Sequence, residues 1–313
     1  MAPNPAAAVP IAPELPETAA LAAELGTVDT PILSTRGWRL AAFARDRAAL
    51  FAASFLLVVL AAVLLAPLIS PFDPNVANDQ LRFAPPLTGG HLLGTDQQGR
   101  DMLARLLWGG RVSLVVGIVP VLIASAAGLL LGLVAGYAGG IVDQVIMRTL
   151  DVLFAFPMVL LAIAIAGVLT PGIFTEIIAI SIVLIPYVGR LARTATLAVT
   201  AMPFIEAARA AGASRASLLA RYITPNVLPP LVVYATTLAG LMIVVGSGLS
   251  FLGLGVQPPT ADWGAMVADG RVVLRRAAHV TLLPGLVIVL VSVAFNFLGD
   301  GLNDALDPRA ARR

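Results

Sequence analysis

Six long apolar runs divide the chain, at about 49–69, 112–136, 150–170, 173–189, 231–254 and 280–299. Each holds roughly 17 to 25 residues, and a helix of about 20 residues crosses the roughly 30 Å hydrocarbon core of a bilayer. Inside lipid the backbone must satisfy its own hydrogen bonds, which leaves helices or closed barrels. A barrel would need strands of alternating polarity about ten residues long, and these runs do not alternate. The pattern predicts an all-α integral membrane protein with six transmembrane helices.

Between the runs lie two long polar connections, an outer loop at 70–111 and a second loop at 190–230. Arginine sets the orientation. With an even number of spans both termini share a side, and that side holds thirteen arginines: Arg36, Arg39, Arg45, Arg47, Arg148, Arg190, Arg193, Arg209, Arg215, Arg221, Arg309, Arg312 and Arg313. The other side holds seven: Arg82, Arg100, Arg105, Arg111, Arg271, Arg275 and Arg276. Both termini are therefore expected in the cytoplasm. Residues 99–111 read as an interfacial helix in which Asp101 and Arg105 pair at i,i+4 and arginines snorkel to water.

Within the runs, Glu176 and Asp151 are the charged residues. Both lie near the start of their segment, and Glu176 is expected at the interface. Arg148 and Asp151 share a helix face and are expected to pair. The second run carries Ala124, Gly128, Gly132, Gly136 and Gly140 four apart, a stripe of small residues that favours close helix packing.

Composition agrees with a membrane class: 58% of residues are hydrophobic, 12% charged, and the mean hydropathy is +0.92. The net charge of +2 gives no nucleic-acid footprint. All 20 basic residues are arginine. Without lysine there is no Walker A site and no Schiff-base chemistry. Without cysteine there are no disulfides or thiolate ligands. His91 and His279, far apart in sequence, are a poor metal-ligand set. The inventory disfavours an enzyme and predicts no cofactor in this chain. Residues 1–35, with Pro at 3, 5, 10, 13, 16 and 31, lack the basic and apolar regions of a signal peptide and read as a disordered cytoplasmic tail, ahead of a six-helix transmembrane domain over 36–310.

The connection at 190–230 carries the candidate chemistry. Glu206-Ala207-Ala208-Arg209-Ala210-Ala211 favours a short helix. Gly212 can adopt the left-handed conformation that ends it, Ser214 can cap a second helix, and Pro225 is expected to break that helix. The result is a rigid projecting knob, although an ordinary amphipathic surface loop fits the residues equally well.

Glu206-Ala207-Ala208, Gly212 and Leu228-Pro229, at this spacing, resemble the EAA loop of bacterial ABC importer permeases. His91 to Asp101 with Arg105 and Gly109 to Leu114, then Phe251 to Pro259 with Asp262-Trp263-Gly264 and Gly270-Arg271, then Asn296 to Arg309, are similar to segments of dipeptide/oligopeptide permeases of the DppC/OppC kind. The likeness spans about 35–310. It departs at Asn303, where that family is expected to carry a basic residue.

The resemblance implies a type I ABC importer permease of the bacterial inner membrane. It would form half of the translocation pathway for di- or oligopeptides. Its partners would be a second, DppB/OppB-like permease, two ABC ATPase subunits that bind ATP and Mg, an extracytoplasmic substrate-binding protein, and membrane lipid. Glu206, Ala207, Ala208, Gly212, Leu228 and Pro229 would then form the ATPase-coupling site. Asp96, Arg100 and Asp101 are expected to organise the outer loop, on the side that meets the binding protein. Asp262 and Trp263 could touch that protein or fold their own loop. Nickel, an opine or glutathione are alternative cargoes of the same architecture. A self-sufficient channel or secondary carrier is disfavoured, because such carriers place ionisable sites near the midplane.

Overall fold

The computed structural model describes residues 43, 44 and 46–306. The tail expected at 1–35 and the terminal Arg309, Arg312 and Arg313 lie outside the described residues. No β-strand occurs among the described residues, only isolated bridges at Thr88–His91 and Thr95–Asp101.

Asp46 opens the first helix, α1 (Arg47–Leu64), by accepting the N–H groups of Ala48 and Ala49, as an N-cap carboxylate should. A short turn, Ala66–Ile69, extends it. The outer loop then leads to α2 (Met102–Ala138), followed by α3 (Gly140–Phe154), α4 (Met158–Val168) and α5 (Ile173–Thr200). After α5 come a short helix, α6 (Pro203–Ala210), the long α7 (Arg215–Phe251), α8 (Trp263–Gly270) and α9 (Ala278–Leu306). Five of these helices (α1, α2, α5, α7 and α9) are long and apolar enough to cross a membrane, or six spans if α3 and α4 count as one.

The pair α2–α5 forms the spine. A Cβ on Gly128 would stand 2.8 Å from the backbone nitrogen of Gly189, and one on Gly136 would stand 2.8 Å from Cβ of Thr196. Gly132 faces Ala192 between them. The small-residue stripe therefore brings two parallel helices into near-backbone contact. Gly140 stands apart: its φ of +54° starts α3. Val121, Ala124, Leu184, Val188, Leu238 and Met242 continue the core into α7. A second core gathers Val63, Met102, Ile243, Trp263 and Val291 towards the outer loop. Knob α6 and the outer loop thus occupy opposite ends of the bundle.

Two expectations need correction here. The third apolar run is not one straight span: α3 and α4 meet at 85°. Pro157 supplies the break, since it lacks an N–H and disfavours helix at the residue before it. Pro225, by contrast, does not end its helix. Leu218–Ile223 adopt the wider π register, with Thr224 N–H reaching the Leu219 carbonyl. Pro225 falls at the start of the α-helical stretch that follows, where a missing N–H is tolerated.

Candidate coupling site

Helix α6 starts with Pro203 at its first position and carries Glu206 in its first turn. Its end is closed by two bonds: Gly212 N–H donates to Arg209 O at 3.0 Å, and Ala213 N–H to Ala208 O at 3.1 Å. That pattern is a Schellman motif, which needs a left-handed residue at Gly212; its φ is +82°. Ser214 then caps the next helix by accepting Ser217 N–H at 3.2 Å.

One side chain anchors this knob. Ile205 is completely buried against Leu133, Val199, Ile223 and Val227, so α6 touches the ends of α2, α5 and α7 at once. Glu206, Ala207 and Gly212 are exposed and Ala208 half-exposed. Nothing lies within 4 Å of a Cβ added to Gly212, so its face is open. Leu228 and Pro229 sit elsewhere. Leu228 faces an apolar cavity of about 450 Å³ between α2, α7 and α9, lined also by Leu122, Ser125 and Phe295. Pro229 is half-buried within α7. Of the six residues, Glu206, Ala207, Ala208 and Gly212 share the open knob, while Leu228 and Pro229 belong to the helix behind it.

Charged residues near the knob pair differently from the sequence expectation. Arg190 bonds Asp151 at 2.6 Å and stacks on Phe154. Arg193 forks onto both oxygens of Asp143. Arg148, expected to hold Asp151, has no ion pair among the described residues. Inter-helix geometry outcompetes the i,i+3 neighbour, because α5 packs directly on the polar face of α3.

At the other end, all five outer-loop candidates are buried. Asp96 accepts Arg100 Nε at 2.6 Å and the Gln98 and Arg100 N–H groups. Asp101 does not pair with Arg105. It caps α2 through Ala104 N–H and faces Nδ1 of His91 at 2.8 Å, while Arg105 lies 3.4 Å from Asp96. Asp262 accepts the Ser113 hydroxyl at 2.6 Å and caps α8 through Ala265 N–H. Trp263 Nε1–H donates to Leu106 O. These groups fold the loop and offer no free surface. Burial pushes the carboxyl of nearby Asp269 up, opposed by Arg105 and Arg100.

Glu176, expected at an interface, is fully buried. Its Oε1 accepts the Ser250 hydroxyl at 2.9 Å, and its Oε2 has no partner. The chain after α7 folds back over it at Gly255, where a Cβ would stand 2.5 Å from Oε1. Hydropathy along α5 contains no signal for a lid supplied some 80 residues later.

A helical membrane protein with a braced knob at one end and a folded loop at the other defines a class, and the comparisons define the family. Residues 128–312 match the binding-protein-dependent transport system inner membrane component family, and residues 36–86 match the N-terminal TM domain of oligopeptide transport permease C. The chain belongs to this family of transport permeases. It is 43% identical to the di/tripeptide transport system permease protein DppC of Pseudomonas aeruginosa, covering 85% of this chain and 90% of that one. It is 45% identical to the glutathione transport system permease protein GsiD of Escherichia coli, covering 87% and 89%. The fold also matches a chain of the inward-facing MetNI methionine ABC transporter, with a TM-score of 0.55 at 19% identity over 66% of this chain and 98% of that one.

Proposed function

We propose that this chain is the permease subunit of an ATP-driven importer of small peptides. It would form half of the pathway beside a second permease, with two ATPases beneath and an extracytoplasmic binding protein above. Both termini would be cytoplasmic, and the chain itself would be non-catalytic, its ATP and Mg held by the partners. The observation that carries this reading is the knob: an exposed Glu206–Gly212 surface, rigidly closed by the Gly212 turn and braced by Ile205 on three long helices. A lever needs that combination of open tip and stiff root. Closure of the ATPase pair would move the knob, and the bundle would follow as a rigid body. Glu206 would bond a basic group or amide on the ATPase, and Ala207 and Ala208 would permit close approach.

Gly212→Trp meets no atom within 4 Å but strains the left-handed turn at φ +82°, so at matched membrane levels it should uncouple ATP hydrolysis from uptake. Wild-type uptake in that variant would sink the proposal. The chain alone in proteoliposomes should transport nothing, whereas a channel or secondary carrier would. Glutathione is the second cargo reading, motivated by the 45% identity to GsiD. Binding of glutathione against dipeptides by the cognate binding protein separates the two.

A further inference from the structure

The end of the bundle opposite α6 holds seven arginines by sequence. Four have partners in the structure. Arg82 pairs with Asp79 at 2.6 Å, and Arg100 and Arg105 face Asp96. Arg111 donates to the carbonyls of Val63 and Leu64. The remaining three, Arg271, Arg275 and Arg276, fall within six residues of one another just after α8. All three are exposed, and none has a carboxylate within ion-pair distance among the described residues. Asp269, the nearest acidic residue in sequence, turns towards Arg100 at 3.9 Å.

Two of these guanidiniums are held in place. Arg271 lies over the Phe251 ring, 5.1 Å from its centroid, and Arg276 over Phe83 at 4.9 Å. Stacking on a ring occupies the face of a guanidinium and leaves its N–H edge free for carboxylates. Val272 and Leu274 are exposed between them, so the patch combines arginine with apolar surface, a composition favoured in the cores of protein interfaces. Stacked, unpaired cations of one sign on the face remote from the coupling knob call for an anionic partner arriving from that side.

We propose that Arg271, Arg275 and Arg276 form a docking surface for a carboxylate-bearing face of the extracytoplasmic binding protein. The inference rests on the importer reading above. The surface acts by steering and register, so it sets how much binding protein is needed and not how fast the loaded importer turns over.

The test uses the complete importer in phosphatidylcholine nanodiscs, with ATPase activity followed against the concentration of dipeptide-loaded binding protein at low and high NaCl. Replacing all three arginines with Gln should raise the half-activating concentration about tenfold at low salt, flatten its salt dependence and leave the maximal rate unchanged. Replacing all three with Lys should restore the salt dependence but only part of the affinity, because the charge is kept while the stacked guanidinium edge is lost. Unchanged half-activation in the Gln variant, beside a responsive wild type, overturns the docking surface alone. A defect that appears only when phosphatidylglycerol is added, with unaltered dependence on binding protein, assigns the patch to lipid and also overturns it. A wild-type importer that ignores the binding protein overturns the importer reading, and the docking surface with it.

Discussion

The hydroxyl of Ser113 donates to the carboxylate of Asp262 at 2.6 Å, joining residues 149 positions apart, and the same oxygen accepts the Trp263 N–H at 3.1 Å. One buried atom therefore holds the start of α8 against α2. Ser113→Ala removes it and leaves both partners short of a bond. A buried polar group stripped of its partner costs about 1–3 kcal/mol. The variant should show a lower melting temperature in detergent, with Asp262→Ala at least as damaging because it also removes the α8 cap. An unchanged melting temperature in Ser113→Ala would show that water replaces the hydroxyl.

Packing of α2 on α5 yields a sharper contrast. Gly132→Val places atoms against Ala192 and the backbone of Arg193, where neither side can give way. Overpacking of this kind costs about 1–3 kcal/mol, and folded yield should fall. Gly248→Ala meets nothing within 4 Å and should be silent. Equal yields from the two variants, measured by size-exclusion chromatography, would mean that this contact does not limit folding.

Ile205 offers a test of the knob's root without touching its tip. The side chain is fully buried among residues from three helices. Truncating Ile to Ala in such a site costs about 2–5 kcal/mol. Because α6 is only eight residues long, the loss should be local. Hydrogen exchange at 203–214 should accelerate, and uptake should fall while ATPase subunits still bind. Retained protection in Ile205→Ala would relocate the anchor.

The parts of this fold that read directly from sequence are those governed by local chemistry. Gly212 and Ser214 act through bonds within five residues, so their turn and cap are visible in the spacing. The glycine stripe at Gly128, Gly132 and Gly136 is visible because helical periodicity alone puts those residues on one face. Misreadings arise where a distant segment outcompetes a neighbour. Asp151 has Arg148 one turn before it, yet α5 delivers Arg190 to it. Asp101 has Arg105 one turn after it, yet capping and His91 claim its oxygens. Pro225 is a strong breaker by rule, and only the π register of the preceding turn lets the helix pass. For Asp262 and Trp263 the sequence leaves two readings open, contact with a partner or folding of their own loop; their burial follows from Ser113 and Leu106, about 150 positions earlier.

The charged pairs beside α3 should rank by geometry rather than by number of charges. Asp143 receives two bonds from Arg193 and is largely shielded, whereas the Asp151–Arg190 pair is about 40% exposed on both sides, at 44% and 39%. Exposed pairs contribute about 0–1 kcal/mol. Arg148→Ala should therefore leave stability unchanged, Asp151→Asn should shift it slightly, and Asp143→Asn should shift it most. Raising NaCl should weaken the Asp151 effect before the Asp143 effect. A large loss in Arg148→Ala would reveal a partner for that side chain within the assembled transporter.

Glu176 separates hydrogen-bond demand from charge. Its Oε1 accepts from Ser250, and its Oε2 is buried with no partner, so one oxygen performs a structural task and the other none. Glu176→Gln keeps a carbonyl for the Ser250 hydroxyl and nearly the same volume. It should fold and support uptake closer to wild type than Glu176→Ala does, although it buries an amide N–H at the position where Oε2 has no partner. Glu176→Ala opens a cavity beneath the Gly255 turn and orphans Ser250, adding about 1–3 kcal/mol for the unmade bond. The turn should loosen, and protease should cut the 252–261 segment faster than in wild type. If Gln proved as damaging as Ala, the site would be shown to reject the added amide N–H, and the carboxyl group itself, not the Ser250 bond alone, would be the requirement.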